Sequence, residues 1–256
     1  MNEIEKYYNK FNEDKRLETR HGIVEFTVSV HFIQKYLTKS KCDILDVGAG
    51  TGKYSAYLSK LGHNVTAVEL VQKNLSVIKQ KYPHIKSFKG NALNLKKFKE
   101  NTFDVVILFG PLYHLFSVDD KVTALLEARR VLKDDGILFV AYLLSDYAFI
   151  RHAIMDNNLS GSIQNGKIDK NYNIITAKED LYSFVKLKDI NKLNKMAKLK
   201  RIKIFSPDGA TDYIRPYINK LNEEDFNTYI DYQIKNASRH DLIGAGSHIV
   251  DILKKD

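Results

Sequence analysis

Between Cys42 and Leu143, short apolar runs alternate with amphipathic stretches, and this alternation restricts the fold more than any other feature of the chain. Residues 44–47, 65–68, 85–88, 103–108 and 136–143 read as strands, while residues 54–61, 70–82 and 119–132 read as helices between them. A strand followed by a helix and another strand needs a crossover, so the strands are expected to run parallel with helices on both faces. The predicted class is α/β, a doubly wound and mostly parallel seven-stranded sheet.

The flanking segments follow other rhythms. Residues 2–37 carry apolar side chains at helical spacings, Ile4, Tyr7, Tyr8 and Phe11, then Ile23, Phe26, Val30, Ile33 and Leu37, which predicts two amphipathic helices. The reading is one domain over 1–256: a helical cap over 1–40, a core over 41–144, an insertion over 145–198 after strand five, and the remainder of the sheet over 199–256. In the last part a helix is predicted near 186–196, a strand near 200–205, a helix near 223–236 and an apolar strand at 248–253.

Composition narrows the class further. No run of about 18 apolar residues is present and the first fifteen residues are polar, so neither a membrane span nor a signal peptide is expected, and the cytoplasm is the default. The single cysteine, Cys42, excludes an internal disulfide framework and reads as a buried thiol. A net charge of +9 is what a nucleic-acid partner would need, but its densest patches, residues 96–99 and 192–203, interleave with apolar positions as solvated helix faces do.

The first strand runs into Leu45-Asp46-Val47-Gly48-Ala49-Gly50-Thr51-Gly52 and then a helix. Glycines let the backbone turn tightly and approach a ligand at a helix N-terminus. The dinucleotide fingerprint G-x-G-x-x-G fails here, because Lys53 stands where its third glycine belongs. Asp46, just before the turn, would repel a pyrophosphate but could accept hydrogen bonds from an ammonium or backbone amides. Glu69 ends the next strand about twenty residues on, where a carboxylate can take both ribose hydroxyls.

These residues resemble the class I S-adenosylmethionine-dependent methyltransferases over roughly 44–143. The resemblance implies that Asp46, Gly48, Ala49, Gly50 and Gly52 hold the methionine and ribose portions of S-adenosyl-L-methionine, that Glu69 and Leu70 lie at the ribose, that Asn91 and Ala92 meet the adenine edge, and that Phe109 and Gly110 complete the cofactor site. Asn91 departs from the aspartate common there, though an amide oxygen can still accept from the adenine amino group. The product would be S-adenosyl-L-homocysteine.

After the fourth strand comes Phe109-Gly110-Pro111-Leu112-Tyr113-His114-Leu115, which resembles a segment of bacterial small-molecule methyltransferases, as does residues 20–26. Enzymes that methylate exocyclic base amines often carry Asn or Asp, Pro-Pro and an aromatic here; Gly110 and Leu112 break that pattern. The implied reaction is in-line methyl transfer to an O, N or S acceptor, helped mainly by proximity. His114 is the candidate base and Tyr113 a positioning residue, with Tyr7, Arg20 and His21, beside Glu25, as candidates for a lid over cofactor or substrate. Asp208-Gly209 reads as a turn, and Tyr213, Arg215, Arg239 and His240 as structural. No metal motif occurs. An RNA methyltransferase and a non-catalytic cofactor-binding protein are the competing readings.

Overall fold

A computed structural model describes residues 5, 7, 8 and 16–256. Its strands are β1 (Asp43–Val47), β2 (Asn64–Glu69), β3 (Lys86–Lys89), β4 (Phe103–Leu108), β5 (Leu132–Leu144), β6 (Phe184–Val185), β7 (Leu199–Phe205) and β8 (His248–Lys255). The principal helices are α1 (Arg20–Lys35), α2 (Lys53–Lys60), α3 (Gln72–Lys81), α4 (Val118–Val131), α5 (Leu187–Met196) and α6 (Glu223–Asn236).

Seven strands lie in the order β3-β2-β1-β4-β5-β8-β7, and the two-residue β6 adds to the end of β5 through Leu143↔Phe184 and Leu144↔Val185. β8 runs antiparallel to both of its neighbours, whereas the pairings among β1 to β5 are parallel. The mostly parallel, doubly wound sheet expected from the alternation is thus present, with β6 as a short addition.

Period-two geometry explains why β4 reads as a continuous apolar run. Val106 and Leu108 join Leu45, Val47, Leu138 and Val140 beneath Leu125 and Ala128 of α4. Val105 and Ile107 join Ile44, Phe139 and Ile252 on the opposite face, against Val24 and Val28 of α1. Each such side chain contributes about 1.5–3 kcal/mol on leaving water. Burial on both faces leaves no room for a polar alternation.

α1 is a layer of this core rather than a loose cover. Val24, Val28 and Ile33 are fully buried, and Phe32 stacks on Phe205 with ring centroids 4.0 Å apart. Thr19 caps the helix by accepting from the Gly22 amide. The first of the two helices predicted over 2–37 falls mostly outside the described residues.

Residues 145–186 leave the sheet at the carboxyl end of β5. They form short helical turns at Ser145–Ala148 and Leu159–Gln164, a π-helical turn at Phe149–Met155, a bridge between Ile168 and Ile174, and β6. The segment folds back on the chain after β4, where the Ser183 amide donates to the Tyr113 carbonyl at 2.8 Å. Among the described residues no helix is long and apolar enough to cross a membrane.

Candidate active site

Strand order reverses between β1 and β4, and in open sheets of this kind the crevice for a ligand lies at the carboxyl ends of the two strands flanking the reversal. β1 delivers the glycine turn there and β4 delivers residues 109–114. Gly48 has φ 78°, and a Cβ on it would lie 2.7 Å from Pro111 Cδ, so only glycine lets the two loops meet. Gly48 and Ala49 donate their amides to the Val68 carbonyl at 2.8 and 3.2 Å, which fastens the turn to β2.

Glu69 closes β2 beside that turn. Its Oε2 accepts from the Gly50 amide and its Oε1 from the Val71 amide, both at 2.8 Å. The Asn74 side chain also hydrogen-bonds this carboxylate, and its two oxygens face the cleft as paired acceptors of the kind a vicinal diol needs. Burial outweighs these donors and pushes the carboxyl up to about 7. Asp46, beneath the turn, is 2 % exposed and is likewise pushed up to about 6 by burial, although Ser55 Oγ donates to it at 2.6 Å.

Gly48, Gly50, Glu69, Leu70, Asn91, Ala92, Phe109, Gly110, Tyr113 and His114 all line one cleft of about 180 Å³. Asp46 and Ala49 line the recess that adjoins it, together with Arg16 and Glu25. Gly52 stands outside both as the N-cap of α2, φ 87°, with Ile78 beside it. Asn91 uses its side-chain oxygen to accept from the Leu93 amide at 3.0 Å, shaping the loop after β3.

Tyr113 and His114 belong to a 3₁₀ turn, Pro111–His114, held under residues 181–183. His114 Nδ1 lies 2.9 Å from the Leu181 carbonyl, which assigns the ring proton to that nitrogen and leaves Nε2 to accept from the Tyr8 hydroxyl at 3.1 Å. Burial pulls the His114 imidazole below its ordinary pKa, with the Leu181 carbonyl working the other way. Tyr182 packs on both rings, 6.0 Å from Tyr113 and 5.3 Å from His114.

Behind this turn opens a chamber of about 440 Å³, which shares Tyr8, Arg16 and Tyr113 with the cleft and is lined further by His21, Tyr147, Tyr182, Asp208 and His248. The three expected lid residues separate here. His21 lines the chamber, and Tyr7 packs edge-on against Tyr8 and Tyr182 at 5.2 and 6.5 Å. Arg20 lies elsewhere, reaching Glu223 at 2.5 Å and sitting 4.5 Å over the Phe226 ring, so it fastens α1 to α6. Successive helix residues point about 100° apart, which is why Arg20 and His21 cannot share a face.

Residues that the sequence did not single out complete the site. Arg16 pairs with Glu25 at 2.7 Å, and Tyr8 bridges cleft and chamber. Asp208 and His248 meet across 2.8 Å from either side of the β7–β8 pairing. Nothing local marks these two, because their meeting depends on pairing of strands forty residues apart.

The donor set suits S-adenosylmethionine. Glu69 offers paired acceptors for a diol, Leu70, Val71 and Ala92 an apolar wall for a purine, and Asp46, Glu25 and Arg16 opposite charges for an amino-acid end. Residues 45–140 match the family model described as a methyltransferase domain. The demethylmenaquinone methyltransferase of Renibacterium salmoninarum is 39% identical over 99 residues, 38% of this chain and 40% of that protein. A ubiquinone biosynthesis O-methyltransferase of Rickettsia canadensis is 29% identical over 150 residues, 54% of this chain and 61% of its own. The chain therefore spans roughly two fifths to three fifths of the curated relatives it matches. A solved SAM-dependent methyltransferase from Thermotoga maritima, 18% identical, superposes with a TM-score of 0.60 over 99% of this chain and 98% of its own, a likeness of fold. Residues 45–140 thus carry a methyltransferase domain, on a fold shared with solved SAM-dependent methyltransferases.

Proposed function

We propose that the chain transfers a methyl group from S-adenosylmethionine to a small-molecule acceptor bound in the chamber, at an oxygen, nitrogen or sulfur nucleophile. The observation that carries this reading is the junction itself: the cofactor cleft opens at Tyr8 and Tyr113 directly into a chamber roofed by residues 181–183. The names of the curated relatives point the same way, to quinone precursors and, in Aphanothece halophytica, to glycine and sarcosine.

The bound cofactor supplies an electrophilic methyl on a sulfonium centre. The protein's part is to hold the nucleophile in line, about 3 Å away, and to keep water out. Glu69 anchors the ribose, Asp46, Glu25 and Arg16 fix the amino-acid end, and Asn91 with Ala92 borders the adenine. Tyr113 and Tyr8 form the wall past which the acceptor reaches the methyl. His114 positions Tyr8 through the hydrogen bond at its Nε2.

A chamber of about 440 Å³ joined to the cleft favours a small molecule over RNA. The lysines at 96, 97, 99, 188, 192, 195 and 200 are solvent-exposed, and none of them lines the cleft or the chamber. The test is transfer of labelled methyl into a bacterial extract divided into a low-mass ultrafiltrate and a nuclease-sensitive fraction. Label in the ultrafiltrate is expected; label lost on ribonuclease treatment overturns the small-molecule reading.

A further inference from the structure

We propose that His248, oriented by Asp208, is the group that takes the proton from the acceptor, so that the natural acceptor is protic, carrying a hydroxyl or N–H at the atom that is methylated. This inference rests on the methyl-transfer reading above. His248 is the one side chain of the pair that lines both the recess beside Asp46, Gly48 and Gly50 and the acceptor chamber. Its ring also stands edge-on to Tyr113, centroids 6.2 Å apart, at the junction of the two spaces.

Asp208 is built to orient an imidazole. It is 5 % exposed, and its Oδ1 accepts from the His248 amide at 3.2 Å and from Ser206 Oγ at 3.3 Å. Its Oδ2 accepts from the Ser247 hydroxyl and lies 2.8 Å from His248 Nδ1. A carboxylate so engaged holds the ring proton on Nδ1 and leaves the Nε2 lone pair for another proton. The His248 side chain is 19 % exposed and lines the chamber. The contrast with His114 is direct, since both nitrogens of that ring already have partners.

The charges facing His248 come from several elements: Glu25 of α1, Arg16 before it, Asp208 after β7, Tyr113 after β4, and His21, Asp212 and Arg215 around the chamber. Burial lowers the imidazole pKa, but Glu25 and Asp208 outweigh it and the net direction is upward from 6.5. In the reaction, an acceptor lone pair forms the new bond to the methyl carbon as the carbon–sulfur bond breaks and its electrons pass to sulfur. The acceptor's proton moves to His248 Nε2, and the imidazolium that forms is stabilised by Asp208.

The experiment uses the full chain and its His248→Gln and Asp208→Asn variants, with three readouts. Binding of S-adenosylhomocysteine is measured by calorimetry. The His248 pKa is followed by NMR of ¹³C-labelled histidine, its signal assigned by loss in His248→Gln. Transfer of labelled methyl to catechol, histamine and a low-mass bacterial ultrafiltrate is measured across pH. The expected results are S-adenosylhomocysteine affinity within about 2-fold in both variants and transfer reduced at least about 100-fold in His248→Gln. In wild type an acid limb above pH 6.5 should match the NMR pKa, and in Asp208→Asn both should move down together. Transfer in His248→Gln near the wild-type rate with an unchanged acid limb overturns the inference alone. Wild type that binds S-adenosylhomocysteine but labels none of the three acceptor sources overturns the methyl-transfer reading and the inference with it.

Discussion

The two halves of the proposed site are built differently. The cofactor half comes from consecutive turns after β1, β2, β3 and β4, and its contacts are largely backbone: glycine amides, the Val68 carbonyl, and a glutamate gripped by two main-chain donors. The acceptor half is assembled from distant pieces of chain, Tyr8, Arg16 and His21 from the beginning, Tyr182 from the insert, Asp208 and His248 from the end, and its contacts are side chain to side chain. Backbone geometry tolerates little change, whereas side chains on loops and strand ends can be exchanged while the scaffold stays. Variants in the first half should therefore remove cofactor binding, and variants in the second should alter turnover while leaving binding intact.

The largest effect is expected at Gly48. Alanine there takes a left-handed conformation costing about 1–2 kcal/mol and drives its Cβ against Pro111, so affinity for S-adenosylhomocysteine should fall by ~100-fold or more. Wild-type affinity by calorimetry would refute the backbone account of this half. Next comes Glu69→Gln, whose amide nitrogen cannot accept from both Gly50 and Val71; a loss of about 1–3 kcal/mol, roughly 10- to 100-fold in affinity, should follow.

Glu69 also sets a pH dependence. Ribose hydroxyls favour its ionised form, and the free carboxyl titrates at about 7, so affinity should be full above that pH and weaken as pH falls through it. The slope should vanish in Glu69→Gln. Tyr8→Phe, on the acceptor side, should leave S-adenosylhomocysteine affinity within about 2-fold while transfer slows by about 10-fold, through loss of its bond to His114. Smallest is Arg20→Ala, expected to cost stability on the order of 0.5–1 kcal/mol in thermal melts and nothing in ligand affinity, because its partners are Phe226 and a largely exposed Glu223.

The same contrast explains what the sequence made legible. Strand, turn and acidic residue follow each other within a few dozen positions, so periodicity and the glycine spacing single out Gly48, Gly50 and Glu69, while Asn91 and Tyr113 come only with the resemblance to the methyltransferases. Arg16 and Tyr8 carry no such spacing, and Arg20 and His21 look equivalent in sequence though the helix sends them to different neighbours. Asp208 reads as an ordinary Asp-Gly turn because its partner, His248, arrives only through the pairing of Phe205 with Val250. Continuous apolar runs also hid the reversal of β8, since burial on both faces erases the sign of direction.

That reversal decides which end of the strand meets the chemistry. In a parallel sheet each strand contributes its last residues to the functional rim; β8 contributes its first, His248, while Lys255 lies at the opposite rim beside Asn101 and Asp134. The molecule thus offers a handle far from its mouth: a dye, a tether or a solid support attached at Lys255 would leave both openings clear, so immobilised protein should bind S-adenosylhomocysteine as tightly as protein in solution.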